Sequence, residues 1–220
     1  MQATARRLTA EALGTLLLVA AVVGSGIMAQ TLTTDTGIAL LANTAATVAV
    51  LWVLITVLGP VSGAQFNPVV TLVLALRHEI APVAALAFVG VQLAGGMAGT
   101  LIAHAMFDLP LWQVSTHVRS GVPQMLAEGV ATFGLVLSIL GARRAGASVA
   151  AAVALWIAAA YWFTASTSFA NPAVALARAV TDTFSGIRPV DLPGFWVAQV
   201  VGALTGMALG GWLFQDSARR

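Results

Sequence analysis

Six long apolar stretches, separated by short polar segments, set the pattern of this chain. They cover residues 8–30, 38–58, 82–107, 125–142, 148–166 and 194–214. About 20 helical residues cross the ~30 Å hydrocarbon layer of a bilayer, so each stretch predicts a membrane-spanning helix. The first follows a charged segment with Arg6 and Arg7 but continues to about Ala29 without a small-residue cleavage site. We therefore interpret it as a retained span and not as a signal peptide.

Two shorter apolar stretches lie between spans, and each begins with Asn-Pro. One runs from Asn67 to about Arg77, and the other from Asn171 to about Val180. About 11 helical residues reach only half-way across the hydrocarbon. Asn caps free N–H groups at a helix start, and Pro is tolerated at the first helical position. The pattern predicts two re-entrant half-helices whose positive ends lie inside the membrane.

Composition agrees with a protein embedded in a lipid bilayer. The chain of 220 residues is 59% hydrophobic and 8% charged, whereas soluble domains carry about 25% charged residues. The net charge is only +2 and no basic run exceeds two residues, which argues against nucleic-acid binding. The sequence has no Cys, which excludes disulfides and thiolate metal sites. We expect an all-α integral membrane protein without a metal or cofactor.

The distribution of Arg predicts the orientation, because cytoplasmic loops retain positive charge. With both termini in the cytoplasm, seven Arg fall inside and three fall outside. The inner set is Arg6, Arg7, Arg77, Arg143, Arg144, Arg219 and Arg220, and the outer set is Arg119, Arg178 and Arg188. High Ala, Gly and Arg content without Lys suggests a bacterial source. We expect a multi-pass protein of the cell (inner) membrane.

The two halves of the chain repeat. The shared landmarks are Glu11 and Thr15 against Glu128 and Thr132, Gln92 and Gly95 against Gln199 and Gly202, and the two Asn-Pro pairs. Each half has three spans, so the second half must insert upside down. We interpret residues 1–220 as one domain with inverted repeats at about 8–110 and 125–214, whose site lies near the midplane at the half-helices. The small-xxx-small series at Gly95, Gly99, Gly202, Gly206 and Gly210 predicts close helix packing.

The residues around both Asn-Pro pairs resemble the signature loops of the major intrinsic protein family, the aquaporins and aquaglyceroporins. The similar segments are Ser62-Gly63-Ala64-Gln65-Phe66-Asn67-Pro68-Val69-Val70-Thr71 and Ser168-Phe169-Ala170-Asn171-Pro172-Ala173, and the resemblance covers essentially the whole chain. The lead-in Tyr161-Trp162-Phe163-Thr164 is most similar to a bacterial branch associated with arsenic-resistance genes.

The resemblance implies a homotetramer in which each subunit has its own pore for water and small neutral solutes. Asn67 and Asn171 would lie at the pore midplane, next to Val69 and Ala173. Ladders of backbone carbonyls would come from Gly63, Ala64, Gln65 and Phe66, and from Thr167, Ser168, Phe169 and Ala170. Glu11 and Glu128 lie inside spans, where ionisable groups indicate function. We expect them to brace the re-entrant loops, although a proton relay is the alternative.

Several positions depart from the family pattern. Gln65 stands where a His is usual, so pH gating at this position is not expected, because an amide does not titrate near neutral pH. Val69 stands where an Ala is usual, and we expect it to narrow or reshape the midplane or to alter packing between the half-helices.

The largest departure is Val174, which follows the second Asn-Pro-Ala where most members have Arg. Ungapped spacing places Thr47, Ala159 and Ser168 at the other positions of the outer constriction. With Val174 these residues predict a wider, less polar filter than that of a water-selective channel.

Arg178 lies one turn beyond Val174, about 6 Å further along the same helix face. Two interpretations are open. Arg178 lends a displaced positive charge to the outer vestibule, or it snorkels to the surface and pairs with Asp182.

The sequence therefore predicts a passive channel for polyols such as glycerol, for urea, for metalloid hydroxides such as arsenous acid, and for water. One alternative is a water-selective channel closed by Trp162 or Phe163, and another is an ion- or proton-coupled transporter. No catalytic constellation is visible, so we do not expect an enzyme. We expect His104 to be a buried, hydrogen-bonded residue.

Overall fold

The computed structural model describes residues 2–215, and over this range every regular element is helical. The helices are α1 (Gln2–Leu32), α2 (Thr36–Ser62), α3 (Pro68–Leu76), α4 (Pro82–Met106), α5 (Val122–Ala145), α6 (Val149–Phe163), α7 (Pro172–Arg178) and α8 (Leu192–Leu213), with a short 3-10 helix at Pro189–Asp191. The predicted all-α membrane fold is confirmed. Arg219 and Arg220, predicted to be cytoplasmic, lie outside the described residues.

Within the described range, five helices are long and apolar enough to cross a membrane, whereas α6 has only 15 residues. At 1.5 Å per residue α6 is about 22 Å long, which is shorter than the ~30 Å hydrocarbon layer. It ends at Phe163 because the backbone of Thr164 is extended, with φ −105° and ψ 138°. The predicted span 148–166 is therefore three residues shorter at its end, and residues 164–171 form the loop that leads back to the midplane.

Both half-helices start at the predicted Asn. Pro68 and Pro172 occupy the first turns of α3 and α7, which have nine and seven residues. The Oδ1 atom of Asn67 accepts a hydrogen bond from the backbone N–H of Val69 at 3.1 Å. Asn171 caps α7 in the same way. The side-chain amides therefore lie at the helix starts, as N-capping requires.

Glycines bring α1 against α4 and α5 against α8 at matching positions. A Cβ added at Gly99 would lie 2.3 Å from the carbonyl oxygen of Leu16, and one added at Gly206 would lie 2.7 Å from that of Phe133. The two helix pairs can approach only because these positions carry no side chain. Packing in the two halves is equivalent here.

We predict that Gly99→Ala lowers the free energy of unfolding by about 1–3 kcal/mol, the usual cost of overpacking. The matched control is Gly90→Ala on the same helix, where an added Cβ would have no neighbour within 4 Å. The control should be neutral or stabilising by up to about 1 kcal/mol, because Ala favours helix more than Gly does. Thermal unfolding in detergent distinguishes the variants, and equal melting temperatures would contradict the packing assignment.

Candidate functional site

A cavity of about 540 Å³ runs between the half-helices, and we call it the lumen. At one end it is lined by Arg7, Glu79 and Arg143, where Glu79 pairs with Arg143 at 2.6 Å. At the other end it is lined by Val174 and Arg178. Asn67 and Asn171, which cap α3 and α7, also line the lumen.

Each half-helix presents one face to the lumen, with positions spaced by three and then four residues. This face carries Asn67, Val70 and Leu74 on α3, and Asn171, Val174 and Arg178 on α7. Such a spacing is one side of an α-helix. The two faces are equivalent except at their last position, where Leu74 corresponds to Arg178.

Val69 and Ala173 lie outside this face. Val69 is buried against α5 and α8 in a cluster with Val136, Leu140 and Ala203. Ala173 is buried, and its carbonyl oxygen would lie 3.2 Å from a Cβ added at Gly96 on α4. Consecutive helical residues are about 100° apart, so the residue that lines the lumen after Asn67 is Val70. The expectation that Val69 narrows the midplane is wrong, because the extra methyl groups pack against neighbouring helices.

The side-chain amides of the two caps cross between the repeats. The Nδ2 atom of Asn67 donates to the carbonyl oxygen of Ala170 at 2.8 Å, and the Nδ2 atom of Asn171 donates to that of Phe66 at 2.8 Å. Both Asn residues line the lumen. An amide nitrogen has two N–H groups, so each Asn retains a second donor for a solute at the midplane.

The loops before the caps have unusual backbone conformations. Positive φ values occur at Gly63, Ala64 and Phe66 in the first loop, and at Thr167, Ser168 and Ala170 in the second. Non-glycine residues in this region cost about 1–3 kcal/mol each and persist only where surrounding structure holds them. All four residues from Gly63 to Phe66 line the lumen, as do residues 168–170. Thr167 lies off the lumen, and its N–H donates to the carbonyl oxygen of Thr164 at 3.2 Å.

Glu11 holds the first loop. One carboxylate oxygen accepts from the Ser62 hydroxyl at 2.6 Å and from the Gln65 N–H at 3.0 Å. The other accepts from the Phe66 N–H at 2.7 Å and from the Gln92 amide at 2.9 Å. These bonds hold the strained backbone, and they use both carboxylate oxygens.

Glu128 makes the equivalent bonds to the second loop. It accepts from the N–H groups of Phe169 and Ala170 at 2.9 Å each, and from the Gln199 amide at 2.6 Å. The Thr four residues after each Glu donates to the carbonyl oxygen of that Glu at 2.8 Å in both halves. The bracing role of Gln199, and of Gln92 at the equivalent position of the first repeat, was not predicted, although the sequence shows that the two positions match.

Gln65 is joined to this network from the lumen side. Its Oε1 accepts from the Thr71 hydroxyl at 2.6 Å, and that hydroxyl accepts from the Gln92 amide at 2.9 Å. A chain of hydrogen bonds therefore connects Glu11 to a residue that lines the lumen.

Between the Asn caps and Arg178, the lumen wall is formed by uncharged residues. Thr47, Ser168 and Val174 line it as expected, together with Tyr161, whose hydroxyl donates to that of Thr47 at 3.3 Å. Ala159 does not belong to this set, because its side chain is exposed on the outside of α6. Two residues along a helix correspond to about 200°, so Tyr161 lies on the lumen side and Ala159 on the opposite side.

The two aromatic residues of the water-selective alternative face away from the lumen. Trp162 and Phe163 are 52% and 55% exposed. The alternative in which these two rings replace the missing filter residue is therefore not what the structure shows.

Arg178 remains at the lumen and does not snorkel. It is 2% exposed, its Nε donates to the carbonyl oxygen of Ser185, and its guanidinium lies 3.4 Å from the ring centre of Phe169. Asp182 instead accepts from the N–H and the hydroxyl of Thr116 at 2.7 and 2.9 Å. Of the two interpretations of Arg178, pairing with Asp182 is wrong.

Arg119, in the loop between α4 and α5, was predicted only as an outer charge. Its guanidinium donates to the carbonyl oxygens of Gly186, Ser166 and Phe184 at 2.7, 3.3 and 3.4 Å. It also lies 5.1 Å from the ring centre of Phe169, which therefore contacts both Arg119 and Arg178. Arg119 anchors loop 107–121 close to the end of the lumen that Arg178 lines, and a single Arg in a loop gave no signal of this contact.

The hydrogen bonds from Thr116 to Asp182 hold the pKa of this carboxyl below its ordinary value of 3.8. A lowered pKa stabilises the fold above the unfolded value, and this contribution is lost as pH falls through the folded value. We predict that Asp182→Asn lowers the stability at pH 6 by at most about 1 kcal/mol, because solvent screens an exposed carboxylate. Melting temperatures measured from pH 6 to 3 should show this difference shrinking below pH 3.8. A difference that does not change with pH would contradict it.

Comparisons with known proteins agree with the geometry. Residues 1–148 match the model of the Major intrinsic protein family. The chain is 61% identical over 213 residues to aquaglyceroporin AqpS of Rhizobium meliloti (strain 1021), covering 96% of this chain and 91% of the relative. It is 30% identical over 164 residues to aquaporin-5 of Ovis aries, covering 67% of this chain and 59% of that relative. The X-ray structure of the aquaglyceroporin from Plasmodium falciparum superposes with a TM-score of 0.72 over 96% of both chains, at 21% identity.

Proposed function

The chain belongs to the major intrinsic protein family, whose members are channels and not enzymes, and we propose that it is a passive conduit for neutral solutes larger than water. It is a multi-pass membrane channel for small solutes. The proposed solutes are glycerol-like polyols, urea and metalloid hydroxides such as arsenous acid, together with water. The similarity to a bacterial relative named as an aquaglyceroporin supports this choice.

The observation that carries the proposal is the composition of the outer lumen. Thr47, Ser168 and Val174 are small and uncharged, and the positive charge of Arg178 lies one turn further out, stacked on Phe169. Pore width and the donors and acceptors along the wall decide which solutes pass. Because Val174 carries no guanidinium, the filter keeps open the space that an Arg side chain would fill in a water-selective channel.

The lumen lining also combines polar and apolar residues. Asn67 and Asn171 are polar, and Val22, Leu51, Val153 and Ile157 are apolar. A polyol can place its hydroxyl groups on polar groups and its carbon chain against apolar side chains. The amphipathic lumen therefore supports conduction of polyols and urea.

Further proposals concern the setting of the channel. We propose a single domain of two inverted repeats, a homotetramer with one lumen per subunit, and a place in the cell (inner) membrane with both termini cytoplasmic. The Tyr161–Thr164 lead-in supports an arsenic-resistance context.

Stopped-flow light scattering with purified protein in liposomes tests the solute range. We expect urea and arsenous acid to enter faster than into empty liposomes, and water to pass as well. Labelled solute should equilibrate to equal concentrations on both sides, even across an imposed pH gradient. Accumulation above equilibrium would identify a coupled transporter, and water flux with both solutes excluded would identify a water-selective channel.

A further inference from the structure

Arg178 is a buried cation without a carboxylate partner among the described residues. Its Nε is used by the Ser185 carbonyl oxygen, and its guanidinium carbon lies over the Phe169 ring. It lines the lumen although it is only 2% exposed. Burying a cation away from water costs desolvation free energy unless an anion or strong acceptors compensate it.

The nearby carboxylates are engaged elsewhere. Asp182 accepts from Thr116, and Asp191 accepts from the side chain of Arg188 and the N–H of Arg119. Glu128 interacts with Arg178 only at longer range, and its oxygens accept from backbone N–H groups and from Gln199. The outer end of the lumen therefore has a positive charge with no directly bonded carboxylate among the described residues, and the second guanidinium on Phe169 adds to it.

Ser168 supplies an independent second observation. Its side chain is 2% exposed, lines the lumen, and its Oγ has no hydrogen-bond partner among the described residues. An unsatisfied buried hydroxyl costs about 1–3 kcal/mol, so this one is available to bond a ligand or water in the lumen. Ser168 directly precedes Phe169, the residue on which Arg178 stacks.

We propose that Arg178 and Ser168 form a subsite in the outer lumen for the ionised oxygens of a small oxyacid, of which a carboxylate is the simplest example. A guanidinium presents a planar fork of donors that matches two oxygens of one anion, and a Ser hydroxyl can donate to the same group. Val174, one turn before Arg178, offers a contact for the carbon part of the ligand. The subsite rests on the proposed function, because its ligand must enter the same open lumen as the neutral solutes.

A pair of ligands that differ in charge but hardly in size tests the subsite. Glycolate is ionised at pH 8, since α-carboxyl groups titrate at about 3.5, and glycolamide is its neutral counterpart. Each is added to wild-type proteoliposomes while glycerol entry is recorded. Because both must occupy the lumen to compete, we expect glycolate to inhibit at about tenfold lower concentration than glycolamide, the effect of one charge-assisted hydrogen bond.

Variants test which residues cause the preference for glycolate over glycolamide. Arg178→Gln should make the two ligands equivalent, and Ser168→Ala should raise the inhibitory concentration of glycolate about threefold or more without changing that of glycolamide. The matched control is Arg143→Gln, which removes a positive charge from the opposite end of the same lumen and should keep the full preference. Arg178→Lys, which keeps the charge but not the fork, should retain part of it.

Equal inhibition by both ligands in the wild type would overturn the subsite, as would an equal loss in Arg143→Gln and Arg178→Gln. If Arg178→Gln does not fold, Ser168→Ala decides, because an unchanged glycolate preference in that variant contradicts the subsite. If the wild type conducts none of glycerol, urea and arsenous acid, the proposed function fails. Calorimetric titration of the detergent-solubilised wild type and Ser168→Ala with glycolate then tests the subsite separately, and binding absent in the wild type overturns it.

Discussion

Replacing Val174 by Arg is expected to reduce glycerol entry at least about tenfold, which corresponds to an added barrier of ~1.4 kcal/mol. Val174 lines the lumen together with Thr47 and Ser168, whose side chains are small and uncharged. A guanidinium at this position would fill that space and repel Arg178 one turn further out. Stopped-flow light scattering of proteoliposomes measures glycerol and water entry in parallel, and water entry should fall much less.

The matched control is Val174→Leu, which adds bulk without charge or donors. We expect it to reduce glycerol entry less than the Arg variant does. If Val174→Arg leaves glycerol entry unchanged while its expression and folding are normal, another part of the lumen limits the rate of glycerol entry. Tyr161 would then be the first residue to examine, because it lines the same region.

The second large effect is expected for Glu128→Gln, which should lower the free energy of unfolding by about 2–4 kcal/mol. The carboxylate accepts three hydrogen bonds, all from N–H donors. A Gln side chain has one acceptor oxygen and an NH₂ group, so a donor would face a donor in a buried site. The loop that includes Ala170 would lose its support, and the yield of folded protein and glycerol flux should fall together.

Asp108→Asn in loop 107–121 is the control, because it also neutralises a carboxylate but lies outside the brace. Its free energy of unfolding should stay within about 0.5 kcal/mol of the wild-type value. A Glu128→Gln protein that is as stable as wild type but has lost only a proton-driven flux would contradict the brace and support a proton relay.

Much of the architecture was readable from short motifs with a clear physical meaning. Asn67 and Asn171 cap helices, and a cap with Pro at the next position specifies a helix start wherever it occurs. The bracing role of Glu11 and Glu128 was predictable because a carboxylate in a membrane span needs buried donors. The sequence also contained Gln92 in matching register, but an amide in a span does not reveal its partner.

Side-chain direction was harder to predict than position in the chain. The family resemblance places Val69 at the midplane and ungapped spacing places Ala159 in the constriction, but one or two residues along a helix turn a side chain by about 100° or 200°. Arg119 was missed for another reason. Its contacts depend on where a loop returns in three dimensions, and no local pattern encodes that return.

Glycerol permeability relative to water permeability in wild-type proteoliposomes tests the account most directly. A series of ethylene glycol, glycerol and erythritol, each recorded by stopped-flow light scattering against empty liposomes, measures the width of the lumen. We predict that glycerol enters well above the empty-liposome rate, because small uncharged side chains surround the lumen at Val174. Rapid water entry with ethylene glycol and glycerol both excluded would contradict the account.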